Sequence, residues 1–147
     1  TAGCLRLLPD NLLDPVLVIN GDVVTHFDPS QLISFHSEYN SAATLCVRNY
    51  DISVPFGVVL SDGSELVGFE EKPNFRHLIN AGIYVIEPHL ISLLPQQQAL
   101  DMPSLFESAR KAGHKVRVCP IHEYWIDIGQ PESLQQANRE WSNSFPT

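Results

Sequence analysis

Basic residues are scarce in this chain: nine Lys and Arg stand against 17 Asp and Glu, a net charge of −8 over 147 residues. A protein that grips a nucleic-acid backbone needs clustered Lys and Arg, so no nucleic-acid partner is expected. A small phosphorylated ligand is still compatible with this balance, because one or two well-placed cations or a metal ion suffice for it. Cysteine is sparse too. Cys4, Cys46 and Cys119 are odd in number and form no CxxC pair, so neither a disulfide framework nor a zinc site is signalled. A reduced, cytoplasmic setting is the expectation. The longest apolar runs, such as Pro15 to Ile19, fall far short of the roughly 20 residues that span a bilayer. No signal-peptide pattern, internal repeat or low-complexity linker is present. The chain starts at Thr1-Ala2-Gly3 without an initiator Met, which suggests that something upstream is missing.

What is present suits one domain over residues 1–147: 44% apolar and 18% charged residues, the balance of a packed globular chain. Val16-Leu17-Val18-Ile19 reads as a strand buried on both faces of a parallel sheet, ending in the turn Asn20-Gly21-Asp22. Asp28-Pro29 reads as a cap and first residue of a helix running to about Asn40, with Leu32, Ile33, Phe35, His36 and Tyr39 at helical spacing. A second strand follows at Ala43–Val47, and the order strand, helix, strand predicts an α/β sheet with a right-handed crossover. Segments 56–60 and 65–69 flank Ser61-Asp62-Gly63-Ser64 as a hairpin. Residues 79–86 predict another strand, a helix starts at Asp101-Met102-Pro103 and stops at Gly113, residues 115–119 form a half-exposed strand, and Pro131 opens the last helix.

Four segments carry chemistry. Asp22, at the carboxyl end of a strand, points toward the crevice where open α/β sheets bind ligands and is a suitable hard ligand for Mg²⁺. Taken alone it is equally a plain turn residue. In Glu70-Glu71-Lys72-Pro73, Lys72 can clamp a phosphate while Glu71 accepts from hydroxyls, or the segment is simply an exposed ion-pair-rich strand end. Asn80 offers a donor and an acceptor to a sugar hydroxyl, and Gly82 would let a ligand lie against the strand, although Asn80-Ala81-Gly82 also reads as a bare bulge. Asp127, set among Tyr124, Trp125, Ile126 and Ile128, needs a partner for its charge. A metal shared with Asp22 would serve, as would a capping role ahead of Pro131.

Together these segments resemble the sugar nucleotidyltransferases, the nucleoside-diphosphate-sugar pyrophosphorylases, over nearly the whole chain. Thr1-Ala2-Gly3 looks like the tail of that family's Gly-Thr-Ala-Gly segment near the base, Asn20-Gly21-Asp22 like its metal-binding Asp motif, and Phe56-Gly57-Val58-Val59 like its Tyr-Gly-Val segment. Glu71-Lys72-Pro73, Asn80-Ala81-Gly82 and Trp125-Ile126-Asp127-Ile128-Gly129 follow in the family's order. The wording around Asp101-Met102-Pro103 and His122-Glu123-Tyr124-Trp125 is closest to bacterial members in surface-sugar pathways. The family's Gly-rich loop, with its Arg and Lys, precedes the region present here, so a truncated form of the fold is expected, without turnover of its own.

The resemblance implies a Rossmann-like nucleotide-diphospho-sugar transferase fold, with a mixed sheet and an antiparallel portion in its second half. It implies transfer of a nucleoside monophosphate from an NTP to a sugar 1-phosphate. Asp22 and Asp127 would hold Mg²⁺, and Lys72 would contact the sugar phosphate. Gly57, Glu71, Asn80 and Gly82 would line the sugar pocket, and Thr1, Ala2 and Gly3, with Asp22, would serve the nucleotide. A homo-oligomer is compatible with the sequence. Two other readings stay open: a non-catalytic scaffold of the same fold, and a nucleotide-sugar-dependent glycosyltransferase. The latter usually presents Asp-x-Asp on one loop, whereas Val23-Val24 follow Asp22.

Overall fold

A computed structural model describes residues 2–9, 11–94 and 101–144. The chain divides into two compact units, a larger one of residues 1–47 with 80–147 and a smaller one of residues 48–79. Among the described residues, eight strands and three α-helices follow in the order β1 (Val16–Ile19), β2 (Val23–Thr25), α1 (Pro29–Glu38), β3 (Ala43–Ser53), β4 (Val58–Asp62), β5 (Glu65–Glu70), β6 (Asn74–Ile86), α2 (Met102–Lys111), β7 (Val116–Pro120), β8 (Trp125–Asp127) and α3 (Pro131–Ser144), with 3-10 turns at Ala2–Leu7 and Pro88–Leu93.

The main sheet has the order β1-β6-β3-β7. β3 and β7 are parallel, with Cys46 opposite Cys119, whereas β1 is antiparallel to β6, with Val16 opposite Ile86 and Ile19 opposite Ile83. The sheet is therefore mixed, as the resemblance implies. Side chains alternate across a strand, and β6 shows the consequence. Tyr84 and Ile86 join Leu105, Phe106 and Ala109 of α2 in one apolar cluster, while Ala81, Ile83 and Val85 join Leu32 of α1 in another. One helix covers each face, which is the α/β layering.

The helix starts follow local chemistry. The Asp28 side chain accepts from the Ser30 amide at 2.9 Å with Pro29 in the first turn, and Asp101 accepts from the Ser104 amide at 2.9 Å ahead of Pro103. Gly113, at φ +85°, ends α2 in the left-handed conformation, with its amide bonded to the Arg110 carbonyl.

Two expectations need correction. β1 is not a strand buried on both faces of a parallel sheet: it lies at one end of the strand order, antiparallel to β6, with Leu17 37% and Ile19 45% exposed. An unbroken aliphatic run fits either setting, because apolar content does not encode strand direction. β6 also separates β1 from β3, so these two strands are not neighbours. Finally, β3 runs on to Ser53 and β6 begins at Asn74. In these extensions both apolar and polar side chains are exposed (Tyr50, Ile52, Phe75, Leu78), so no burial pattern marks them. Instead Arg76 forks onto Asp51 at 2.8 and 3.2 Å, and the Val54 amide bonds to the Pro73 carbonyl.

Candidate functional site

In the larger unit the site begins with the short ribbon of β2 and β8, whose register places Val23 opposite Asp127 and Val24 opposite Ile126. The Ile128 amide donates to the Asp22 carbonyl at 2.8 Å and so extends the ribbon by one step. Asp22 and Asp127 are thereby brought side by side, 105 positions apart in the chain. The point that a Cβ on Gly129 would occupy lies 2.9 Å from Asp127 Oδ1 and 3.3 Å from Asp22 Oδ2. Asp127 Oδ1 also accepts from the Gly129 amide at 2.8 Å, which fixes the carboxylate's direction.

Asp127 is exposed, not enclosed by its apolar neighbours; Trp125 and Ile126 are only half-buried and Asp22 is half-buried. The partner that sequence reasoning required for Asp127 is therefore supplied in part by the Gly129 amide, and the rest of the carboxylate is exposed. Among the described residues no third His, Cys, Asp or Glu joins the pair in a group able to hold a metal. Two hard carboxylates with open positions fit an ion such as Mg²⁺, which keeps waters and is completed by substrate phosphates.

Behind the carboxylates lies a backbone crossing. The Asn20 amide donates to the Gly82 carbonyl at 2.8 Å, and the Trp125 indole donates to the Ala81 carbonyl at 2.8 Å. Gly82 has φ +72°, and a Cβ there would lie 2.9 Å from Asn20 Nδ2 and 3.0 Å from Val23 Cγ2. The group that approaches Gly82 closely is thus the chain's own Asn20. Asn80 is exposed; its Oδ1 accepts from the Gly82 amide at 3.0 Å and its Nδ2 donates to the Tyr84 hydroxyl at 2.8 Å. One N–H and one lone pair of that amide are left over for a ligand. Burial, more than any other influence, pushes the Tyr84 phenol up, and the Asp22 charge adds to it.

The smaller unit gathers three more of the expected residues. Lys72 Nζ lies 3.8 Å from Glu71 Oε1, and a Cβ on Gly57 would lie 3.2 Å from Glu71 Oε2. Lys72 has φ +46°. That conformation is costly for a side chain with a Cβ, and more so before proline, where extended backbone is favoured. Strain of this kind collects where a side chain must be aimed.

Of the segment expected near the base, Thr1 lies outside the described residues, Ala2 is fully buried in the core, and Gly3 is half-buried in the first 3-10 turn. Sequence reasoning missed Gly129, Asn20 and Tyr84 as supports. Their signal was their adjacency to Asp127, Asp22 and Asn80 inside the same short motifs.

The family model described as "Nucleotidyl transferase" matches residues 1–144. The chain belongs to the nucleotidyl transferase family. This nucleotidyl transferase chain is 31% identical over 154 residues to mannose-1-phosphate guanylyltransferase 1 of Arabidopsis thaliana, covering 99% of itself and 42% of that protein. It is 27% identical over 151 residues to the mannose-1-phosphate guanylyltransferase catalytic subunit beta of Dictyostelium discoideum, again covering 99% of itself and 42% of that protein. Among solved structures, HddC from Yersinia pseudotuberculosis matches with a TM-score of 0.61 at 22% identity, over 95% of this chain and 60% of that one, and the same protein is known in complex with GMP-PN. The chain spans less than half the length of the curated relatives it matches.

Proposed function

We propose that this chain supplies part of the active site of a sugar-1-phosphate nucleotidyltransferase, which transfers a nucleoside monophosphate from an NTP to a sugar 1-phosphate. The observation that supports it most is the Asp22–Asp127 pair, which the β2–β8 ribbon sets side by side. The names of the relatives make GTP and mannose 1-phosphate the first substrates to test.

In the proposed reaction an oxygen of the sugar phosphate attacks the α-phosphorus in line. The bond from that phosphorus to the oxygen bridging to the β-phosphate breaks, and pyrophosphate leaves with the bonding pair. A phosphate monoester has its second pKa near about 6, so the nucleophile is already ionised and needs no general base. The barrier is repulsion between anions, met by positioning and positive charge. Asp22 and Asp127 hold a divalent ion such as Mg²⁺, whose charge offsets that repulsion when it is bound. Of the larger unit, Asn80 offers its spare groups and Gly82 its backbone to a sugar; of the smaller unit, Lys72 offers its ammonium to a sugar phosphate, and Glu71 and the Gly57 backbone offer theirs to sugar hydroxyls. Gly3, with Thr1, serves the nucleotide, and Ala2, fully buried, anchors that segment in the core. We place the reaction in the cytoplasm, in a homo-oligomer, supplying activated sugar for bacterial surface polysaccharide.

A thermal-shift titration with GDP-mannose tests the reading. Wild-type chain is stabilised by GDP-mannose and Mg²⁺ together, and Asp22→Asn removes the Mg²⁺-dependent part. A shift that ignores Mg²⁺, or survives intact in Asp22→Asn, overturns it.

A further inference from the structure

Strand β6 passes from exposed to buried just after Asn80. From Ala81 to Ile86 every residue is buried, and the Tyr84 hydroxyl is the one polar side-chain group among them. Phe would fill the same space without a group that must be bonded once buried. Tyr84 is held firmly. It is 2% exposed, stands opposite Val18 of β1, and its ring lies tilted against Phe106 of α2 with centroids 5.5 Å apart. Its hydroxyl is spent on a residue at the surface, accepting from Asn80 Nδ2 at 2.8 Å.

The exposed Asn80 amide is thus anchored at two points. The Gly82 amide donates to its Oδ1 at 3.0 Å. That bond decides which end of the side chain is the carbonyl, since an N–H pairs only with an acceptor. Alone it leaves a swing, because the last torsion of Asn is broad. Gly82 is fixed too, at φ +72° with Asn20 packed close over it. The Tyr84 hydroxyl supplies the second anchor, and the spare N–H and spare lone pair then have set directions.

We propose that Tyr84 is a positioning residue for sugar recognition: its hydroxyl holds the Asn80 amide so that the spare N–H and lone pair meet a sugar hydroxyl as donor and acceptor. This rests on the reading of the site given above. Tyr84 acts through Asn80 alone and touches no substrate. A group oriented in advance loses less freedom on binding, and a fixed donor and acceptor select for a ligand that carries the hydroxyl.

Calorimetric titration of the chain with GDP-mannose and Mg²⁺, with GDP and Mg²⁺ as the sugar-free control, tests the proposal. Asn80→Ala weakens GDP-mannose about tenfold, the loss of bonds to one hydroxyl. Tyr84→Phe removes a single oxygen and weakens it about three- to tenfold, yet adds nothing in the Asn80→Ala background. Tyr84→Phe leaves GDP affinity unchanged, which a general loosening of the fold would not. Equal GDP-mannose affinity in wild type and Tyr84→Phe overturns the inference and leaves the functional reading standing, as does full additivity of the two substitutions or a parallel loss of GDP affinity. Failure of the wild-type chain to bind GDP-mannose overturns the functional reading and this inference with it. If Tyr84→Phe does not fold, ¹⁵N relaxation of the wild-type side-chain amides decides: the Asn80 amide is as ordered as the β6 backbone, and mobility equal to that of the exposed Asn49 amide overturns the inference.

Discussion

Asp127 and Asp22 meet because Asp127 stands opposite Val23 in the β2–β8 ribbon and the Ile128 amide closes on the Asp22 carbonyl at 2.8 Å. One residue then governs the space between their carboxylates. A Cβ on Gly129 would come within 2.9 Å of Asp127 Oδ1 and 3.3 Å of Asp22 Oδ2. Gly129→Ala should therefore push the carboxylates apart and weaken Mg²⁺ binding while the melting temperature, measured without the ion, hardly moves. Calorimetric titration with Mg²⁺ in the presence of GDP-mannose reads this, and wild-type affinity in Gly129→Ala would show that the pair does not hold the ion.

Gly82 is a structural demand of a different kind. At φ +72° and with Asn20 and Val23 packed over it, it tolerates no side chain. Gly82→Ala should cost on the order of 1–3 kcal/mol from backbone strain and overlap. Urea unfolding checks it, and a change below a few tenths of a kcal/mol contradicts the close packing.

Lys72 offers the opposite case. Glycine accepts φ +46° without penalty, so Lys72→Gly should keep or raise stability while losing the ammonium. Thermal unfolding together with sugar-phosphate binding separates the two effects. A clear drop in melting temperature for Lys72→Gly would mean that the side chain, 67% exposed, serves the fold after all.

The cysteines should differ in reactivity. Burial pushes the Cys46 thiol up to about 12 and raises that of Cys119, whereas Cys4 is exposed. Thiolate is the reactive form. A disulfide reagent at pH 8 should thus titrate one thiol in the native chain and three after denaturation. Rapid modification of three native thiols would contradict the packing of β3 against β7.

Acid should destabilise the chain through specific carboxylates. Hydrogen bonds from Ser30 and Ser104 hold Asp28 and Asp101 below the ordinary Asp value of 3.8, and Arg110 holds Glu107 down to about 2, against an ordinary 4.5. Each folded-state value is depressed, so each contribution is complete above the ordinary value and is lost as pH falls through the folded one. Melting temperature should fall between about pH 4.5 and pH 2. Asp28→Ala combined with Asp101→Ala should flatten the part of that fall below the ordinary Asp value of 3.8, because their helix caps are already gone. All three groups lie at the surface, so the effects are modest and screened by salt.

The amino-acid order alone determined the helix caps at Asp28 and Asp101, the hairpin around Gly63 and the short motifs that carry Asp22, Lys72, Asn80 and Asp127. Each of these depends on neighbours a few residues away, where backbone preference and side-chain period act directly. Strand direction, the place of β1 at the end of the sheet and the exposed reach of β3 and β6 belonged to the tertiary structure, since pairing partners are chosen by distant segments that an aliphatic run does not specify. The meeting of Asp22 with Asp127 is of the same kind. Residues 105 positions apart in sequence become neighbours only when β2 and β8 exchange backbone hydrogen bonds.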